Sequence, residues 1–180
     1  MHSPGDVVEA AAFSARPESF DFETVFLANY DRIARAIVRV IDDPARAEEL
    51  AVEAFWKLWK HPQAQGEAAG GWLYRTAVRL ALDELRRRAR RARYEQLLTL
   101  VRAPQTPHDL FSATEEQGRV RAVLAAMNPR QAELLLLRGD GMSYDELASA
   151  LSLNPASVGT LLSRARQAFR KDYVKRYGEQ

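Results

Sequence analysis

The chain contains no cysteine in 180 residues, which excludes disulfides and thiolate metal sites and fits a reducing compartment. Its three histidines, His2, His61 and His108, are scattered over tail and loop contexts, so no metal-binding His-Glu spacing is present. Glycine is sparse, and neither a Gly-rich phosphate loop nor a nucleophile elbow occurs. The paired acids Glu48-Glu49 stand beside no His or Cys. No apolar run is long enough to span a bilayer, and no charged-then-apolar signal pattern opens the chain. These absences point to a cytoplasmic non-enzyme that needs no cofactor and no metal.

What is present is sorted charge. The net charge is only +2, but residues 72–93 carry Arg75, Arg79, Arg86, Arg87, Arg88, Arg90, Arg91 and Arg93 against Asp83 and Glu84. Residues 161–177 carry a second basic group around Arg164, Arg166, Arg170 and Lys171. Residues 42–53 are the reverse: Asp42, Asp43, Glu48, Glu49 and Glu53 against Arg46. Such segregation suits an anionic polymer on some faces and a basic protein surface on another. A helix end favours one or two cations; the Arg run exceeds that and reads as a phosphate-contacting strip.

Apolar periodicity gives the organisation. Phe22, Phe26, Leu27, Tyr30, Ile33, Ile37 and Ile41 recur at helical steps and predict an amphipathic helix over 21–41. Asp43 is the expected N-cap, and Pro44 the first residue, of a second helix reaching Lys60, with Leu50, Phe55, Leu58 and Trp59 inward. Residues 62–71 read as a loop. A third helix starts near Gly71 and buries Trp72, Leu73, Ala77, Leu80, Ala81 and Leu85. Periodicity fades over 99–112, where Pro104, Pro107 and His108 mark a linker. Helices follow over 115–127 and 130–138. Next comes a helix-turn-helix: Ser143 to Ala148, the turn Leu151-Ser152-Leu153-Asn154-Pro155, and a basic second helix able to enter a major groove. The expectation is an all-α fold in two small helical domains joined by a flexible linker. Residues 1–18 form a disordered tail, 19–95 the first domain, 96–117 the linker and 118–180 the second domain.

Three stretches carry a family resemblance. They are Asp42-Asp43-Pro44-Ala45-Arg46-Ala47-Glu48-Glu49-Leu50 running on to Trp59, Trp72-Leu73-Tyr74-Arg75-Thr76-Ala77 with Leu82-Asp83-Glu84-Leu85-Arg86-Arg87, and Gly141-Met142-Ser143-Tyr144-Asp145-Glu146-Leu147-Ala148 with Arg164-Ala165-Arg166. In order and spacing the chain resembles the bacterial sigma-70 family, extracytoplasmic-function type, over residues 20–93 and 118–175. Val52, Arg79 and the run Gly159-Thr160-Leu161 stand where the family usually has Gln, Asn and a basic-polar-basic trio.

The resemblance implies a sigma factor that binds core RNA polymerase, at its clamp and flap regions, and promoter DNA, with an anti-sigma factor as a further partner. It assigns core-polymerase binding to Asp43, Glu48, Glu49, Glu53 and Phe55. Minus-10 recognition falls to Tyr74, Arg75, Arg79, Arg86, Arg87 and Arg90. Minus-35 recognition falls to Arg130, Tyr144, Thr160, Ser163, Arg164 and Arg166. Two other readings stay open at this point: a stand-alone helix-turn-helix regulator, and a sigma-like protein-binding module.

Overall fold

The computed structural model describes residues 20–99 and 113–178, and no strand occurs among them. The sequence-stretch 100–112, with Pro104, Pro107 and His108, and the expected tail 1–18 lie outside the described residues.

Local capping chemistry sets the helix boundaries. Asp21 accepts from the Thr24 backbone N–H at 3.0 Å and starts α1, Phe22–Ile41. Asp42 then takes a left-handed backbone (φ 54°), which ends α1 and turns the chain by one residue. Asp43 caps α2, Pro44–Trp59, by accepting from Arg46 N–H at 3.0 Å, with Pro44 in the first helical turn. The segment expected as a loop after His61 holds a single 3-10 turn, Pro62–Ala64. There the Gln65 amide donates to the last carbonyls of α2, on Leu58 and Trp59, satisfying acceptors a helix end otherwise leaves open.

Helix α3, Ala69–Thr99, has 31 residues and is about 46 Å long at 1.5 Å per residue. Its first half buries Leu73, Ala77, Val78, Ala81 and Leu82 against Ile33, Ile37, Leu50 and Leu58 of α1 and α2. The bundle also holds an aromatic cluster, in which Phe26 lies tilted against Phe55 with centroids 4.7 Å apart and Phe22 meets Trp59 edge-on at 5.1 Å.

The second half is α4, Ala113–Ala126; α5, Pro129–Gly139; α6, Tyr144–Leu151; and α7, Pro155–Tyr177. Asn128 and Asn154 cap α5 and α7, each followed by proline. Ser143 and Glu146 form a reciprocal capping box on α6. Ser152 adopts a left-handed backbone (φ 52°) in the turn between α6 and α7. Leu134, Leu137, Leu147, Val158 and Leu162 fill the centre.

The two halves are not apart. Helix α3 packs on α4, α5 and α6 as well as on α1 and α2, and the buried apolar residues of both halves join in one cluster. Helix α4 starts at Ala113, inside the stretch expected as linker; residues 115–118 are exposed, and Glu116 accepts from the Tyr173 hydroxyl of α7 at 2.7 Å.

Candidate nucleic-acid and polymerase interfaces

The acidic segment occupies the outer side of α2. Glu48 and Glu49 are exposed and Glu53 is half-buried. Glu49 pairs with Arg46, and Glu53 lies 3.4 Å from Lys57. Asp43 is engaged internally: it caps α2 and accepts from Arg88 at 2.7 Å. The Arg46 backbone N–H, then Arg88, holds its carboxyl below the usual range. Phe55 corrects the sequence assignment. It is 2% exposed within the aromatic cluster and offers nothing to a docking partner. Val52 and Trp56, by contrast, are each 54% exposed, and Lys60 lies 4.6 Å over the Trp56 ring. Glu49, Val52, Glu53 and Trp56 are spaced i, i+3, i+4, i+7, hence one stripe. The sequence signal for it was Trp56 lying off the buried apolar row.

On α3, Tyr74, Arg75 and Arg79 all face the second half. Tyr74, expected to stack on an unpaired base, is 3% exposed; it is covered because α5 and α6 close over it. Burial and the Asp140 carboxylate push its hydroxyl pKa up, and Arg32 lies 4.7 Å over its ring. Arg75 donates to the Ala150 carbonyl. Arg79 Nε donates to Glu133 Oε1 at 2.7 Å, and Glu133 is itself 4% exposed. Arg39 pairs with Asp140, and Arg121 with Asp42 at 3.0 Å, across the same seam.

Further along α3 the Arg run divides. Arg86 is half-buried beside Asp83, and Arg90, Arg91 and Arg93 are exposed. Arg87 and Arg88 turn to Glu84, at 2.8 and 2.9 Å. Arg88 also donates to the Ile41 carbonyl and to Asp43, so it ties α3 to the corner between α1 and α2. Glu84 is 4% exposed, and hydrogen bonding from Arg87, opposed by burial, holds its pKa down to about 2. A carboxyl lowered in the folded state contributes stability above its unfolded pKa and loses it as pH falls towards the folded value. Stability measured by unfolding from pH 6 to 2 is therefore expected to weaken below about pH 4.5. Glu84→Gln should flatten that part of the profile, and an unchanged profile would remove Glu84 as its source.

In the helix-turn-helix, Thr160, Ser163 and Arg164 are exposed and share one face of α7 by helical spacing. Tyr144 is 46% exposed, with Arg138 5.5 Å over its ring. Gly159 sits against that ring, where a Cβ would be 3.6 Å from the nearest ring carbon, an ordinary contact. Arg166 corrects the expectation, since it lies on the far side of α7. There it lines an apolar groove of about 280 Å³ with Val120, Leu124, Leu135, Leu136 and Phe169. Arg79, Arg130 and Arg164, one from the expected minus-10 set and two from the minus-35 set, converge on one cleft of about 490 Å³ between the halves.

Among the described residues no cluster of His, Asp and Glu could hold a metal ion, and no helix is long and apolar enough to cross a membrane.

Comparison with known proteins gives two family matches: "Sigma-70 region 2" over residues 25–91 and "Sigma-70, region 4" over residues 117–169. The chain is 27% identical over 155 residues to the ECF RNA polymerase sigma factor SigE of Mycolicibacterium smegmatis, covering 83% of this chain and 60% of that protein. It is 30% identical to the probable RNA polymerase sigma factor RfaY of Xanthomonas campestris, covering 81% of this chain and 38% of that one. With the RNA polymerase sigma-E factor of Streptomyces coelicolor it is 29% identical over 88% and 89% of the two chains. The chain thus spans less than two thirds of the first two relatives and most of the third.

Proposed function

The chain belongs to the sigma-70 family, extracytoplasmic-function type, and on that premise we propose that it binds core RNA polymerase and directs promoter-specific initiation, acting in the cytoplasm without chemistry of its own. What supports this reading is an exposed acidic and apolar stripe on α2 beside a DNA-suited basic helix, within one chain matched by both family regions. The stripe Glu49, Val52, Glu53 and Trp56 would dock on the polymerase clamp. The apolar groove of α4, α5 and α7 is suited to a polymerase segment at the flap. Helix α3 would engage the minus-10 element through Arg79 and the basic run. Thr160, Ser163 and Arg164, with Arg130 and Tyr144 near the helix starts, would read the minus-35 duplex.

This reading requires the halves to part. Two elements about 25 base pairs apart are separated by about 85 Å of duplex at 3.4 Å per base pair, whereas a compact chain of this length has a radius of gyration of about 16 Å. Residues 100–112 can reach at most about 45 Å when extended, which is enough, with the dimensions of both halves, to place them on both elements. Parting releases Tyr74, Arg75 and Arg79 from their contacts with the second half. Strand opening then needs no catalytic group, only tighter binding to the unpaired state.

The test is run-off transcription with purified core polymerase on a library of promoter fragments. Transcripts from a defined subset support the reading; none, with the core enzyme active alongside another sigma factor, overturns it. In the same assay Arg164→Ala is expected to change the preferred minus-35 sequence and cost about 1–3 kcal/mol on the best site. An identical preference would remove Arg164 from base readout.

A further inference from the structure

The basic run on α3 is two stripes with different surroundings. Arg86, Arg90 and Arg93 follow Asp83 along one side, while Arg87, Arg88 and Arg91 follow Glu84 at i+3, i+4 and i+7 along another. Only the second stripe is organised around a buried carboxylate. Glu84 Oε1 accepts from Arg87 Nη2 and Arg88 Nε at 2.8 and 2.9 Å; Oε2 accepts from Arg87 Nε at 3.1 Å and from Arg46 at 3.4 Å. That fills the acceptor capacity of one carboxylate. Arg88 is used up internally, on Glu84, Asp43 and the Ile41 carbonyl, and so is Arg46, on Glu84 and Glu49.

Above this floor lies a recess of about 300 Å³ lined by Asp43, Arg46, Glu84, Arg87, Arg88 and Arg91. Four guanidiniums meet Asp43 and Glu84 there, and Glu49 pairs with Arg46 beside them, so the recess keeps one cation in excess. Arg87 directs its Nε and Nη2 edge to Glu84, leaving the Nη1 edge for a ligand. Arg91, one turn further on, is exposed at the rim. Arg87, held in a fixed direction by Glu84, suits an oxyanion better than a mobile guanidinium, because its ordering entropy is already spent.

We propose that Arg87 and Arg91 form a cradle for one backbone phosphate of promoter DNA, with Glu84 as the positioning residue that holds Arg87 in place. The proposal rests on the promoter-binding reading above and adds a defined subsite to it. Its consequence runs against simple charge counting. Removing a negative charge from a DNA-facing surface should tighten binding, whereas losing the positioning carboxylate should weaken it.

The experiment measures promoter binding by holoenzyme, reconstituted from the full chain and core polymerase, over a series of potassium chloride concentrations. Glu84→Gln is expected to bind about 3- to 10-fold more weakly at one salt concentration, with a log–log salt slope shallower by about 1. Equal or tighter binding with an unchanged slope would overturn the cradle. Thermal unfolding shows whether Glu84→Gln retains its fold. Where it does not, the comparison of Arg91→Ala with Arg93→Ala decides, since both side chains are exposed on one helix. A cradle makes Arg91→Ala the larger loss, with the shallower slope; a diffuse basic strip makes the two equal and sinks the proposal. A parent holoenzyme that binds these promoters while all variants match it rejects the cradle alone. A parent that binds none rejects the promoter reading and the cradle with it.

Discussion

A chain tethered across its two halves is expected to lose promoter-dependent transcription by at least about 100-fold, and to regain it when the tether is cut. The absence of native cysteine makes the tether specific. Glu67 precedes α3, Ser149 lies on α6, and both are exposed while lining one cleft of about 430 Å³ at the seam. With Glu67→Cys and Ser149→Cys, a bis-maleimide carrying an internal disulfide bridges the cleft, and a reductant releases it. Neither residue belongs to the ion pairs of the seam or to the sets assigned to DNA. The untethered double variant should therefore transcribe like the parent. The tethered one keeps Tyr74 buried, Arg75 on the Ala150 carbonyl and Arg79 on Glu133. It also holds the two reading heads too close for both elements. Undiminished transcription by the tethered chain would mean that the closed packing is compatible with initiation, and the requirement for parting would fall.

The depth of the loss follows from how the seam is built. Glu133 and Asp140 present carboxylates to Arg79, Arg39 and the Tyr74 hydroxyl, so the second half offers α3 the same charge that phosphate would. These pairs involve a buried carboxylate with a half-exposed guanidinium, and separating them is costly only when nothing anionic replaces the carboxylate. DNA provides that replacement for Arg79. Glu133 is left to water, which solvates it well once the halves have parted.

Where chemistry acts over four residues, the sequence was a good guide. Asp43-Pro44, Asn128-Pro129, Ser143 with Glu146 and Asn154-Pro155 all start helices as their capping preferences dictate. The apolar rows of α1 and α2 likewise face inward, except Leu27, which is 72% exposed because it follows Phe26 by one residue and so turns away from the row. The surroundings the sequence did not reveal arise where the deciding partner lies far along the chain. Tyr74 falls off the local apolar row, yet is buried by the turn holding Asp140. Arg79 meets Glu133 across 54 positions. Phe55 belongs to the inward row of α2, and its assignment to docking conflicted with that periodicity; the residue on the outward side is its neighbour Trp56. Arg166 was grouped with Arg164 by proximity in sequence, although two residues along a helix turn a side chain about 200°. The division of the Arg run was readable in principle, since Glu84 stands three, four and seven residues before Arg87, Arg88 and Arg91. Its burial depended on the α1–α2 corner, which no local pattern reveals.

The outward stripe of α2 supports the second large effect. Trp56→Ala is expected to weaken binding to core polymerase by about 2–4 kcal/mol, roughly 30- to 1000-fold, because exposed tryptophan at the centre of a contact face commonly dominates such interfaces. The fold should be indifferent: Trp56 is 54% exposed, and surface substitutions of this kind stay within about 0.5 kcal/mol. Glu49→Lys combined with Glu53→Lys should act differently. These carboxylates already have intrachain partners in Arg46 and Lys57, and reversing them repels a basic partner at long range. The expected result is slower association that worsens as salt is lowered, whereas the Trp56→Ala defect should persist across salt and lie mainly in dissociation. Association and dissociation rates with immobilised core enzyme at two ionic strengths separate the two. If both variants bind like the parent at moderate salt, the α2 stripe is only a solvated helix face, and polymerase docking must rest elsewhere, with the apolar groove of Val120, Leu124, Leu135, Leu136 and Phe169 the surface to probe next.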